Sequence, residues 1–249
     1  MNTARQIIVV KDPAALALAA AQRLVRRIGQ TQGHAAVCLT GGSTPKRLYD
    51  LLASPPWRER ISWDRVHWFF GDDRFVPQND PLSNIGMARR AFIDACAPPQ
   101  NVHLIQTDAA SPDDAARLYE NDLRAFQALR GDGGLFDMVL LGVGPDGHTA
   151  SLFPGFPGAK ETSLWVAGVP VANVAPFVPR VSLTLPCLGS TYEMLFLAAG
   201  NDKKAILTRV FCGENLPAAR AHAAGGETIW LIDEAAVPQK TNDNSAHAG

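Results

Sequence analysis

The chain has little of what marks specialised chemistry. It holds four cysteines in 249 residues (Cys38, Cys96, Cys187 and Cys212), and no two form a C-x-x-C pair. That rules out the common zinc-ribbon and thioredoxin-like motifs. Cys38, Cys187 and Cys212 sit in apolar surroundings, so free thiols in a reducing compartment, without structural zinc, are expected. Excess charge is also missing. Lys and Arg total 23 against 24 Asp and Glu, for a net charge of −1, with no basic run and no acidic tail. This argues against nucleic acid or an anionic membrane as a partner. No apolar run approaches the length of a membrane span. The start, Met1-Asn-Thr-Ala-Arg-Gln6, lacks the charged head and apolar stretch of a signal peptide, so a soluble cytoplasmic protein is expected. There is no G-x-S-x-G for a nucleophile-elbow hydrolase and no Gly-Lys-[Ser/Thr] for a nucleotide-binding P-loop. No internal repeat occurs.

What is present is an alternation. Short apolar runs are separated by longer amphipathic segments, the pattern of a Rossmann-like α/β fold with a mostly parallel sheet flanked by helices. Ile7–Val10 reads as a first strand, and Asp12-Pro13 supplies an N-cap and a first-turn proline for a helix to about Ile28. Ala36–Leu39 is the second strand, Pro45–Leu52 a short helix and Val66–Phe70 the third strand. An irregular loop then leads to a helix near Ile85–Ala95, and Ser111-Pro112 opens another that reaches Leu129. Later strands fall at Met138–Leu141, Leu164–Gly168, Val181–Thr184, Met194–Ala198 and Thr228–Ile232, with a helix at about Lys203–Phe211. No linker separates two domains, so residues 1–238 are read as one α/β domain. The proline- and glycine-rich stretch 154–179 is too apolar for a tether and reads as a folded excursion over the sheet. The polar tail, 239–249, reads as disordered.

Chemistry concentrates where strands end in glycine turns, which is where α/β proteins bind ligands. The most informative segment is Phe136-Asp-Met-Val-Leu-Leu-Gly-Val-Gly-Pro-Asp-Gly-His-Thr-Ala150. Its apolar run empties into a turn bearing Gly144, Asp146 and His148, and an imidazole is well suited to proton transfer near neutrality. The same turn satisfies G-x-G-x-x-G, yet Pro154 and Pro157 forbid the long helix of a dinucleotide site and no acid stands about 20 residues on. Asp146 and His148 lie two apart. They would point to opposite sides of an extended turn, or diverge by about 200° on a helix, so a direct bond between them is not assumed.

Thr40-Gly41-Gly42-Ser43-Thr44-Pro45 follows the second strand. It reads as a phosphate cradle at a helix N-terminus or as no more than a capped helix start. Gly71-Asp72-Asp73-Arg74 follows the third strand. Asp72 suits a sugar hydroxyl or the orientation of a proton carrier, and Arg74 an anion clamp; a surface Asp–Arg turn is the alternative. Arg180 opens a strand, and Lys203 starts a helix against its dipole, as though an anion compensated it. The remaining histidines sit in no comparable context.

Together these segments resemble the 6-phosphogluconolactonases. The matching pieces are Leu39-Thr-Gly-Gly-Ser-Thr-Pro45, Gly71-Asp-Asp-Arg-Phe-Val-Pro77 with Ser83-Asn84, Asp137 to Pro154, Pro179-Arg-Val-Ser-Leu-Thr-Leu-Pro186 and Leu216-Pro-Ala-Ala219. Two departures are small: Asp73 stands where the family usually has Glu, and Asn79-Asp-Pro where it often has Asp-Asp-Pro. The resemblance implies a fold of the glucosamine-6-phosphate deaminase and ribose-5-phosphate isomerase type. It implies cofactor- and metal-independent hydrolysis of a sugar phosphate lactone, 6-phospho-D-glucono-1,5-lactone, by a monomer or small homo-oligomer. His148 is then the expected general base, with Asp146 beside it, and Asp72 orients substrate hydroxyls or the histidine. Amides around Gly42 and Gly144 face the oxyanion, and Ser43, Thr44, Arg74, Lys203 and Arg180 take the phosphate. Glucosamine-6-phosphate deaminases share the Gly-x-Asp-Gly-His turn but continue Ile-Ala-Phe-Asn-Glu, where this chain has Thr149-Ala-Ser-Leu-Phe-Pro154. A sugar-phosphate-binding regulator without turnover is the third reading.

Overall fold

The computed structural model describes residues 5–131 and 133–238. Strand β1 (Gln6–Val10) leads into α1 (Pro13–Gln30), whose N-cap Asp12 accepts from the amides of Ala14 and Ala15. There follow β2 (Ala35–Leu39), α2 (Ser43–Leu52), β3 (Val66–Phe70), β4 (Asp72–Arg74), α3 (Asn84–Ala88), α4 (Asp94–Cys96), α5 (Pro112–Arg130) and β5 (Phe136–Leu141). The second half contains β6 (Val166–Val169), β7 (Arg180–Leu183), α6 (Leu185–Gly189), β8 (Thr191–Ala198), α7 (Lys204–Phe211), α8 (Pro217–Arg220) and β9 (Glu227–Asp233).

Six strands form one parallel sheet in the order β1-β9-β8-β5-β2-β3. Every residue of β2 and β5 is buried, as a sheet covered on both faces requires. Phe196 and Trp230, opposite each other on β8 and β9, stack at 3.8 Å between ring centroids and anchor the middle of the sheet. Buried Glu193 on β8 accepts from Arg23 Nε at 2.6 Å and Arg27 Nη2 at 3.0 Å, which ties α1 to that strand. From β2 the chain steps to β3 on one side; the next strand of this sheet, β5, pairs on the other. The winding therefore reverses between β2 and β5, and the crevice outside their carboxyl ends is where such a fold offers a ligand site.

The sequence reading needs correction at the loop after β3 and at Cys212. The loop after β3 is not irregular throughout: Asp72–Arg74 forms β4, which pairs antiparallel with β7 in a second, three-stranded sheet, β4-β7-β6. Part of the 154–179 excursion is the β6 strand of that sheet, packed against α5. The helix expected near Ile85–Ala95 is present and runs from α3 through a π-helical turn at Arg89–Ile93 into α4. Cys212 is exposed, because it follows the last residue of α7 and lies beyond that helix's buried face, whereas Cys38 and Cys187 are buried. The expected disordered tail lies outside the described residues. Among those residues, no helix is long and apolar enough to cross a membrane.

Candidate active site at the carboxyl ends of the strands

A cleft of about 490 Å³ opens at the reversal point. The segments after β2, β3, β5 and β8 line it, together with β7. It brings together Gly41, Gly42, Ser43, Thr44, Asp72, Arg74, Gly144, His148, Arg180 and Lys203. The His34, His67 and His103 group lies elsewhere, near the amino end of β3. There His67 Nδ1 is 2.9 Å from His103 Nε2, and burial lowers the His67 pKa to about 4.

The turn after β5 is neither extended nor helical. Gly147, at φ +88°, donates its amide to Gly144 O at 3.0 Å, and Gly144 donates to His148 O at 2.9 Å. Asp146 Oδ1 accepts the His148 amide at 3.1 Å, an Asx turn, and this brings the carboxylate round to His148 Nδ1 at 2.6 Å. The two side chains left apart by the sequence spacing are thus directly bonded. Burial pushes the Asp146 carboxyl up, but the hydrogen bonds from the His148 ring and amide outweigh it and hold the group below its ordinary value. An ionised Asp146 accepts, so Nδ1 carries the proton and the lone pair of the neutral ring sits on Nε2. Gly144 makes room for that ring, since a Cβ there would run into the imidazole. Its amide is already engaged by His148 O, so Gly144 does not supply a free donor for an oxyanion.

Helix α2 starts at Ser43, two residues earlier than expected, behind Gly42 at φ +112°. No side chain caps it, so the simple capped-start reading does not apply, and its first-turn amides are left for a ligand. Asp72 is buried; its Oδ2 accepts from Ser151 Oγ at 2.6 Å, and its Oδ1 lies 3.5 Å from Asn84 Nδ2. Among the described residues the His148 ring bonds to Asp146 and not to Asp72. Asp73 points away from the cleft and accepts from Ser83 Oγ and from the amides of Arg74, Asn84 and Ile85. This clamp seats the Asn84 side chain above Gly41, where a Cβ would collide with its amide.

Arg74 and Arg180 are opposite partners in the β4–β7 pair, so two like charges share one face. Arg180 is only 3% exposed, and burial draws its guanidinium below the ordinary value. Its Nη2 donates to Val174 O and Pro176 O, and Arg74 Nη1 donates to Leu82 O; the Nε of each is buried without a partner among the described residues. A buried guanidinium and a half-buried one, each partly unpartnered and side by side, call for an anion. Lys203 Nζ reaches Val143 O at 3.2 Å and Asp202 at 3.5 Å. Among the described residues, no group of three or more His, Cys, Asp or Glu is placed to hold a metal ion. Asn84, Ser151 and Phe153 were not singled out by sequence reasoning. Ser83-Asn84, Ser151 and Phe153 do lie within the matching motifs, which was the available signal.

The profile of the family described as glucosamine-6-phosphate isomerases/6-phosphogluconolactonase matches residues 11–230. The chain belongs to that family. It is 37% identical over 251 residues to a 6-phosphogluconolactonase of Streptomyces coelicolor, covering 96% of each chain. A 6-phosphogluconolactonase structure from Trypanosoma cruzi superposes with a TM-score of 0.82 at 29% identity, covering 95% of this chain and 97% of that one. A monomeric glucosamine-6-phosphate deaminase superposes at 0.78 with 19% identity, covering 93% and 98%, and shows that the deaminase branch of the family shares the fold. The glycine loops after β2 and β5 and the β4–β7 pair all fall inside the matched span.

Proposed function

We propose that the protein is a 6-phosphogluconolactonase, opening 6-phospho-D-glucono-1,5-lactone to 6-phospho-D-gluconate. One observation carries the reading: an imidazole whose Nδ1 is tied to a carboxylate, and whose Nε2 has no partner among the described residues, lines a cleft walled by Arg74, Arg180 and Lys203. Lactone hydrolysis needs an activated water, support for the oxyanion at C1 and a proton for the departing ring oxygen. His148 Nε2 takes the proton from water and returns it to that oxygen. Asp146 holds the ring in the right tautomer and stabilises the imidazolium between the two transfers. The amides around Gly42, at the uncapped start of α2, face the oxyanion. Asp72, held by Ser151, accepts from substrate hydroxyls. The phosphate is taken by Arg74 and Arg180, with Ser43, Thr44 and Lys203.

The test follows the decay of freshly generated 6-phosphogluconolactone at mildly acidic pH, with purified protein against a blank. Acceleration by the protein but not by His148→Asn is expected. Equal acceleration by both would remove the histidine as base. Absence of acceleration, with ammonia released from glucosamine 6-phosphate, would replace the lactonase by the deaminase.

A further inference from the structure

Phe153 is buried, yet it belongs to a small apolar cluster with Val169 and Ala172 that is separate from the main core. Its ring lies 4.5 Å from the His148 imidazole, centroid to centroid, at 46°. The Arg180 guanidinium carbon sits 5.1 Å from the same ring. The backbone of Gly144 closes on the imidazole too, at a position where a Cβ would collide with it. The imidazole is therefore confined by Gly144, packed by Phe153 and tied at Nδ1 by Asp146. Arg180 in turn holds the chain crossing the cleft, through Val174 O and Pro176 O, and Val174 packs on the Phe153 cluster.

We propose that Phe153 is a positioning residue whose one ring sets both the His148 imidazole and the Arg180 guanidinium, so that proton transfer and anion binding share a support. A flat aromatic face does this through contact with the imidazole and cation–π attraction to the guanidinium. An aliphatic side chain keeps the cluster apolar but offers no aromatic face. The kinetic part of the proposal rests on the lactonase reading; the positioning part does not.

The experiment compares wild type with Phe153→Leu, which keeps an apolar side chain in the cluster. The expected result is a cooperative melt, kcat lowered about tenfold or more, and KM for the lactone raised several-fold. The kcat/KM pH profile should also shift on the limb set by His148. A folded Phe153→Leu protein with kcat and KM within twofold of wild type would overturn the proposal. So would a loss confined to melting temperature. Should the variant not fold, imidazole nitrogen and proton NMR of the wild type decides. Ring-current-shifted His148 resonances with a single Nδ1-protonated tautomer support the proposal, and unshifted resonances with mixed tautomers overturn it. If wild type does not accelerate lactone decay, the functional reading falls, and the same NMR measurement still judges Phe153.

Discussion

His148 and Asp146 are joined because a glycine turn folds one side chain back on the other. His148→Asn keeps a polar group of similar size and removes the proposed base, so turnover should fall by about 10²–10⁴ while the melting temperature stays near wild type. Measuring both on one preparation checks it; retained turnover would sink the role. Asp73 behaves differently. Burial raises its pKa to about 6, against hydrogen bonds from Asn84, Ser83, Arg74 and Ile85 that work to lower it. An acid whose folded pKa lies above its unfolded value binds the extra proton in the folded state. Its titration favours folding fully below about pH 4 and loses that contribution as pH rises through about 6. The stability difference between wild type and Asp73→Asn should therefore move against wild type from pH 4 to 6.5, by denaturant titration. A difference that moves in favour of wild type as pH rises would show the sign to be wrong. At this scale the sequence named the residues but not their bonding: the period rules that separated Asp146 from His148 hold for strands and helices, and this turn is neither.

Among the elements, the glycine loops after β2 and β5 carry most of the site. Neither Gly41 nor Gly144 has a positive φ, so alanine is conformationally acceptable at both, and its cost is contact alone. At Gly144 the added methyl meets the His148 ring, and at Gly41 it meets the Asn84 amide. Gly144→Ala should accordingly lower kcat far more than it changes KM, by about 10²-fold, since a displacement near 1 Å suffices for that. Gly41→Ala should act mainly on KM, through the start of α2. Steady-state kinetics on the two variants separates the predictions, and equal effects on both constants in both proteins would refute them. The β2 loop was legible because glycine, hydroxyls and proline announce a helix start. Strand β4 was not, because three residues, Asp72–Arg74, are too few to show alternation. Its pairing with β7 places Arg74 opposite Arg180, more than a hundred positions away in the chain.

Across the whole molecule, the cleft is bounded by segments of the parallel sheet and by the β4–β7 pair. Product binding should stabilise the folded state by mass action. At a hundred times Kd, 6-phosphogluconate contributes about 2.7 kcal/mol, which for a chain of this size is a rise of roughly 5–10 °C in Tm. Replacing Arg74 and Arg180 by Gln should abolish the rise, because the proposed phosphate site rests on these two partly unpartnered guanidiniums. A thermal shift that survives the double replacement would move the phosphate to Lys203 and the α2 terminus.

The sequence alone determined the alternation of strands and helices, the glycine turns at strand ends and the residue types in the cleft. Each of these is local: hydrophobic period, caps and turn residues act over a few positions, and the family motifs are contiguous strings. Only the tertiary structure decided that the winding reverses between β2 and β5 and that a second sheet pairs two arginines. It alone put a phenylalanine from beyond the turn against the His148 ring. Those outcomes depend on which distant segments pack together, and no local pattern specifies them.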